Sequence, residues 1–229
     1  MTWDAAGVAG SPVESEPADR FPPLPRSFFE RPAHLVAPDL LGLLLIRREG
    51  QELSGGLIVE AEAYGGPDDL ASHARAGRTT RTAPMFGPAG HAYVYLVYGL
   101  HHCLNVVTEG DRQAGAVLLR ALQPTLGLES IRARRGRPDE PLGRLAAGPA
   151  RLCQGLAIDR RFDAADLCRA GELWLSRPTR EEGEARQVIS GPRIGVAYAG
   201  DGWAGRPWRF GLAGHPSLSR PFPGASQRT

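Results

Sequence analysis

The sequence predicts a single mixed α+β domain built mainly from antiparallel strands, and three observations carry that expectation. Residues 57–64 (Leu57, Ile58, Val59, Glu60, Ala61, Glu62, Ala63, Tyr64) alternate with the period of a strand. Residues 91–107 read as two strands folded about a tip at Tyr98 and Gly99. Short apolar runs at 117–122, 173–175, 193–196 and 208–210 are divided by turn residues rather than joined by long helical periods, and read as further strands.

Taken in order, residues 1–25 are rich in Pro, Ser, Ala and acid and read as a disordered tail. The folded domain is expected over 26–215, and residues 216–229 read as a loose tail. Residues 33–41 suggest a short helix with Pro32 in its first turn and Gly42 as its stop, although Pro38 argues for a break. Residues 43–48 then form a strand, turned by 49–52 into the strand at 57–64. Residues 126–135 read as a helix with a basic end, and Gly148-Pro149 opens another.

Composition excludes several chemistries. The formal net charge is +2, but the first twenty residues carry −3 and leave +5 for the rest, which permits a polyanionic partner. All 27 basic residues are arginines, so no side-chain Schiff base or phosphate-loop lysine is available. The three cysteines, Cys103, Cys153 and Cys168, form no Cys-x-x-Cys pair, which suggests neither a thiolate zinc site nor a disulfide framework. No apolar run approaches the ~20 residues of a membrane span, so a soluble, cytoplasmic protein without membrane attachment is expected.

On strict alternation Ile58, Glu60, Glu62 and Tyr64 share one strand face, with neighbours roughly 7 Å apart. This face is either a solvated outer surface or, if buried, a place where two crowded carboxylates hold protons more tightly and one can serve as a general base. In the loop that follows, Arg75, Arg78 and Arg81 among Gly and Thr offer donors to phosphate oxygens, or form a plain solvated loop. His73 is either packed or functional. Tyr93 and Tyr95 share a face and suit either a core or a flat ligand, while Tyr98 at a hairpin tip is poorly placed for a core and well placed as a wedge. Arg120 within a buried strand demands an acidic partner or a ligand. Arg151, beside the free N–H groups of its helix start, makes a phosphate seat.

In this order the stretches resemble the alkyladenine (3-methyladenine) DNA glycosylase family. The matching pieces include Val59-Glu60-Ala61-Glu62-Ala63-Tyr64, Ser72-His73-Ala74, Gly77-Arg78-Thr79, Met85-Phe86-Gly87, Tyr93-Val94-Tyr95 with Tyr98-Gly99, Asn105-Val106-Val107, Leu118-Leu119-Arg120-Ala121-Leu122 and Arg193-Ile194-Gly195-Val196, spread over residues 28–212. The resemblance implies a curved antiparallel β-sheet with a protruding β-hairpin. It also implies a monofunctional enzyme of base excision repair that flips alkylated or deaminated purines from double-stranded DNA and hydrolyses the N-glycosidic bond without lyase chemistry. By resemblance Glu62 is the catalytic base and Arg120 positions water and phosphate. Tyr64, His73, Tyr93, Tyr95, Asn105 and Leu118 form the base pocket, Tyr98 intercalates, and Arg75, Arg78 and Arg151 contact the DNA backbone. No metal and no cofactor is implied, and a nucleoid-associated monomer is expected. Thr82 departs from the asparagine that relatives often carry after the arginine. Two other classes compete: a lesion-binding protein without turnover, and a metal-dependent hydrolase using His73, His101 and His102.

Overall fold

The longest strand, β2 (Glu52–Tyr64), runs through the middle of the sheet and is buried from Ser54 to Ala63. The computed structural model describes residues 17–110, 113–178 and 187–223. On one edge of β2 lies β5 (Gly115–Leu126), continued by β4 (His101–Thr108) and β3 (Ala92–Val97). On the other edge β1 (Leu44–Glu49) pairs with residues 52–57 and leads to β6 (Leu173–Ser176), while β8 (Arg209–Leu212) pairs with residues 60–62 and carries β7 (Val188–Gly191). Every pairing is antiparallel. The change of partner along one strand is what a curved, open sheet requires.

The curvature has a local cause. Ile58 pairs with Leu122 and Ala61 with Leu119, but between them Glu60 pairs with Ala121, so both strands become irregular at the same level. Each therefore changes phase there. Ile58 packs with Ala61, Ala63, Val117, Leu119 and Leu122 in the main core, whereas Val59 and Ala121 lie with Leu212 in a separate cluster. This corrects the strict alternation expected for residues 57–64: Glu60, Glu62 and Tyr64 do share a face, but Ile58 belongs to the core.

Helices cover the core face. In α2 (Ala33–Asp39), Ala33, Val36 and Ala37 pack inward with Leu40, and Pro38 sits in the last turn without breaking it, since the Leu40 N–H beyond it still donates to the Val36 carbonyl at 3.0 Å. The helix α3 (Leu128–Arg135) is bounded by Gly127 and Gly136, both left-handed, and contributes Ile131; α5 (Pro149–Gly155) contributes Leu152 and Cys153. The 201–204 turn (α6) and the four-residue helices at 17–20 (α1) and 142–145 (α4) complete the set among the described residues.

Both expected tails are partly folded. Phe21 and Leu24 are buried, the Trp174 indole donates to the carbonyl of Phe21, and Leu24 N–H donates to Leu175. The tail expected over 1–25 thus contributes core residues from position 21, and its first sixteen residues lie outside the described ones. At the other end Ser217 and Phe222 are buried, with Phe222 under the Arg209 guanidinium. Apolar anchors inside a Pro-rich composition are the physical reason for both differences. Residues 193–196, expected as a strand, form a loop with Gly195 at φ +78°.

Candidate active site

Strand register brings the site together. On the sheet face opposite the main core, Tyr93 pairs with Asn105, Asn105 with Leu118, Leu118 with Glu62, and Glu62 with Arg209. Five strands thus place five residues in one row, with about 4.8 Å between neighbouring strands. The next positions on the same face add Tyr95 and Cys103, which are also paired, together with Tyr64 and Arg120.

Over this row opens a cleft of about 550 Å³, walled by Tyr64, His73, Tyr93, Tyr95, Asn105 and Leu118, with Arg120, Arg81 and Tyr198 also exposed to it. His73 stands edge-on to Tyr95 at 4.6 Å and to Tyr93 at 6.0 Å, and the two tyrosine rings lie 5.3 Å apart. The His73 Nδ1 and the Tyr93 hydroxyl are hydrogen-bonded at 3.0 Å. Burial foremost, then Arg81 and Arg75, pushes the His73 pKa down to about 4, so its ring is neutral at pH 7. The loop carrying it is secured by Ser72 Oγ, which accepts from Ala74 N–H, and by Thr82, whose hydroxyl donates to the carbonyl of Gly77. Asn105 Nδ2 donates to the carbonyl of Tyr93, which fixes its amide.

Glu62 is fully buried just behind the cleft wall. Its Oε2 accepts from the Tyr64 hydroxyl at 2.9 Å and from Arg120 Nη1 at 3.2 Å, and its Oε1 accepts from the backbone N–H of Ile194 at 2.8 Å. Burial, followed by the neighbouring Glu62 charge, holds the Tyr64 phenol well above its ordinary pKa, so it remains a donor. Of the two alternatives the sequence left for Glu60 and Glu62 the face is buried, but the crowding of two bare carboxylates does not occur. Arg120 donates to both Glu60 and Glu62, and Arg209 donates to Glu60 at 2.8 Å. Ser219 closes the network, its hydroxyl donating to Glu60 and accepting from Arg120 Nη2.

Three of these partners carried no sequence signal of their role. The Ile194 N–H is a backbone donor on a loop, Ser219 lies in the expected loose tail, and Arg209, read as part of a strand and of the family resemblance, was assigned no role. Arg193, next to Ile194, makes a two-pronged buried pair with Asp69 at 2.6 and 3.0 Å and lies over the Tyr64 ring at 4.9 Å. It thereby locks both the loop and the phenol.

The remaining sequence-predicted residues lie at the periphery. Tyr98, at the hairpin tip, is 93 % exposed and left-handed at φ +52°, followed by Gly99 at +70°. Arg75 is exposed with its guanidinium over the Tyr198 ring at 5.2 Å, and Arg78 is exposed. Arg151 is exposed outside the cleft, 3.8 Å from Glu140. Among the described residues no group of three or more His, Cys, Asp or Glu side chains could hold a metal, and no helix is long and apolar enough to cross a membrane.

The site is thus a carboxylate gripped by arginine, phenol and backbone behind an aromatic-walled cleft. Residues 27–216 match the family model of methylpurine-DNA glycosylase (MPG). A protein of Anaeromyxobacter dehalogenans strain 2CP-1, provisionally named a 3-methyladenine DNA glycosylase, is 48% identical over 89% of this chain and 88% of its own length. A similarly named protein of Methanocella arvoryzae is 45% identical over 89% and 98%. The DNA-3-methyladenine glycosylase of Mus musculus is 43% identical over 93% of this chain and 66% of its own length. The chain belongs to the methylpurine-DNA glycosylase family, an enzyme family of N-glycosyl hydrolases.

Proposed function

We propose that this protein is a monofunctional DNA glycosylase that turns an alkylated or deaminated purine out of duplex DNA and hydrolyses its N-glycosidic bond with a water activated by Glu62. The substrates are of the 3-methyladenine, 7-methylguanine, hypoxanthine and ethenoadenine class, and the enzyme acts as a monomer. The observation that carries this reading is the cross-strand row that puts Glu62 behind a cage of Tyr93, Tyr95 and His73.

Cleavage of the glycosidic bond develops positive charge on the sugar, which a nearby carboxylate stabilises while it takes a proton from water. A carboxylate has about four acceptor positions; Tyr64, Arg120 and Ile194 fill three, leaving one on Oε1 for water. Arg120 is a positioning residue here, because its nitrogens are engaged by Glu60, Glu62 and Ser219. The neutral His73 ring adds no positive charge to the cage, which suits cationic alkylated bases stacked on tyrosine. Asn105, fixed at the cleft floor, crowds the 2-amino group of guanine. Tyr98 fills the gap left by the flipped base, a step that costs a few kcal/mol and least for weakly paired lesions. Arg75, Arg78 and Arg151 meet backbone phosphates. Without lysine, a coupled lyase step through a side-chain Schiff base is not available.

The test is single-turnover release of hypoxanthine and of 3-methyladenine from duplex DNA, with chelator present, for wild type and Glu62→Gln. Wild-type release and a loss of about 10²- to 10⁴-fold in the variant, with lesion binding retained, are expected. Undiminished release by the variant removes Glu62 as the base. Tight lesion binding with no release by either protein makes this a lesion-binding protein without turnover.

A further inference from the structure

A second depression, about 430 Å³ in volume, lies between α4, α5 and the C-terminal segment. Its charged walls are Arg144 at the end of α4, Arg151 in the first turn of α5, and Arg220, and among the described residues no carboxylate lines it. All three arginines are exposed. Neither the Arg144 nor the Arg220 guanidinium has a partner among the described residues, and Arg151 reaches only the distant Glu140 at 3.8 Å and the carbonyl of Arg144 at 3.3 Å. Among the described residues Glu140 is the only carboxylate paired with any of the three, so like charges are held together here with little neutralisation by the protein itself. Such an arrangement is unfavourable in isolation and becomes favourable around an anion.

Residues of the depression and of the catalytic cleft are neighbours at two points. Pro149 lines the cleft and is two residues before Arg151. Ser219 lines the depression and hydrogen-bonds Arg120, which lines the cleft. An extended anion entering the cleft therefore continues naturally between these arginines, whereas a small free anion has no reason to bridge the two.

We propose that Arg144, Arg151 and Arg220 form a seat for backbone phosphodiesters of the same nucleic acid strand that is served in the cleft, extending the DNA footprint past α5 to the C-terminal segment. The inference rests on the glycosylase reading for the identity of the polymer. The Arg144 and Arg220 side chains are outside the catalytic network, where Arg220 takes part only through its backbone carbonyl, which accepts from Arg209, so the role of the two guanidiniums is in strand affinity rather than in chemistry.

The test measures duplex binding by fluorescence anisotropy from 50 to 200 mM salt, for undamaged and hypoxanthine-containing DNA. The proteins are wild type, Arg144→Gln, Arg220→Gln, the double variant, and Arg169→Gln in the loop before β6 as a charge control. Each trough variant is expected to lose affinity on the order of tenfold, equally for both duplexes. Its slope of log K against log salt should fall by about 0.9, and that of the double variant by about twice as much. Single-turnover base release at saturating DNA should remain within twofold of wild type. Unchanged affinity and slope in the double variant would overturn the seat, as would an equal loss in Arg169→Gln. Displacement of DNA by inorganic phosphate at far lower ionic strength than by chloride would assign the depression to a free anion instead. Base release lost in every protein while the slope differences persist would fault the glycosylase reading and leave the phosphodiester seat standing.

Discussion

His73 shows how one side chain ties stability to the character of the cleft. Its folded pKa of about 4 lies below the ordinary 6.5, with burial the largest cause. Above pH 6.5 the ring is neutral whether the chain is folded or not, and the residue has no effect on pH dependence. As pH falls from 6.5 towards 4 the unfolded chain takes up a proton that the folded one refuses, so folding stability decreases, by at most about 1.4 kcal/mol per pH unit for one proton. Denaturant unfolding of wild type and His73→Asn at pH 7, 5.5 and 4.5 should show a shallower decline in the variant. Parallel declines would mean that the ring takes up its proton in the folded protein as readily as in the unfolded one. The type of each cleft residue was legible in the sequence, since aromatic, amide and carboxylate side chains announce their chemistry. The neutrality of His73 was not, because it depends first on burial in the folded cleft and then on the charges of Arg81 and Arg75, which only the fold brings near.

At the scale of elements, the hairpin at 92–108 followed the period-2 pattern, with Tyr93 and Tyr95 facing Asn105 and Cys103 as alternation requires. Strand β2 did not, because an irregularity shared by two strands leaves no mark in either sequence alone. Its position depends on the partner: Glu60 opposite Ala121 is a fact about pairing, and pairing between residues 61 apart is invisible to local periodicity. Glycine is the one hint. A Cβ on Gly56 would stand 2.1 Å from the carbonyl oxygen of Gln123, and one on Gly55 2.2 Å from that of Leu45, so β2 is clamped by backbone on both edges where its register with β5 first shifts. Gly56→Ala should therefore lower stability by about 1–3 kcal/mol, read as a lower urea midpoint with unchanged slope. A midpoint equal to wild type would show that β5 can move aside freely.

For the molecule as a whole, the sequence made the domain and its family resemblance legible but not its edges. Phe21, Leu24 and Phe222 are single apolar anchors in stretches whose average composition reads as disordered, and averages conceal anchors. The C-terminal segment matters most, because Ser219 completes the Glu60–Arg120 network from beyond residue 216, where the family match ends. Long-range backbone donors such as Ile194 escaped for a related reason: an N–H has no residue type by which to be recognised.

The left-handed backbone at Tyr98 has a consequence for selection. A bulky residue there costs about 1–2 kcal/mol relative to one that adopts this conformation readily, and an exposed ring recovers none of it in the free protein. Tyr98→Asn should raise the melting temperature by about 2–4 °C while weakening lesion binding, and a lower melting temperature would show that the tip carries no such cost. Breeding this protein for heat resistance alone would therefore discard the tip tyrosine early, and heirlooms of that lineage would be sturdier and less capable.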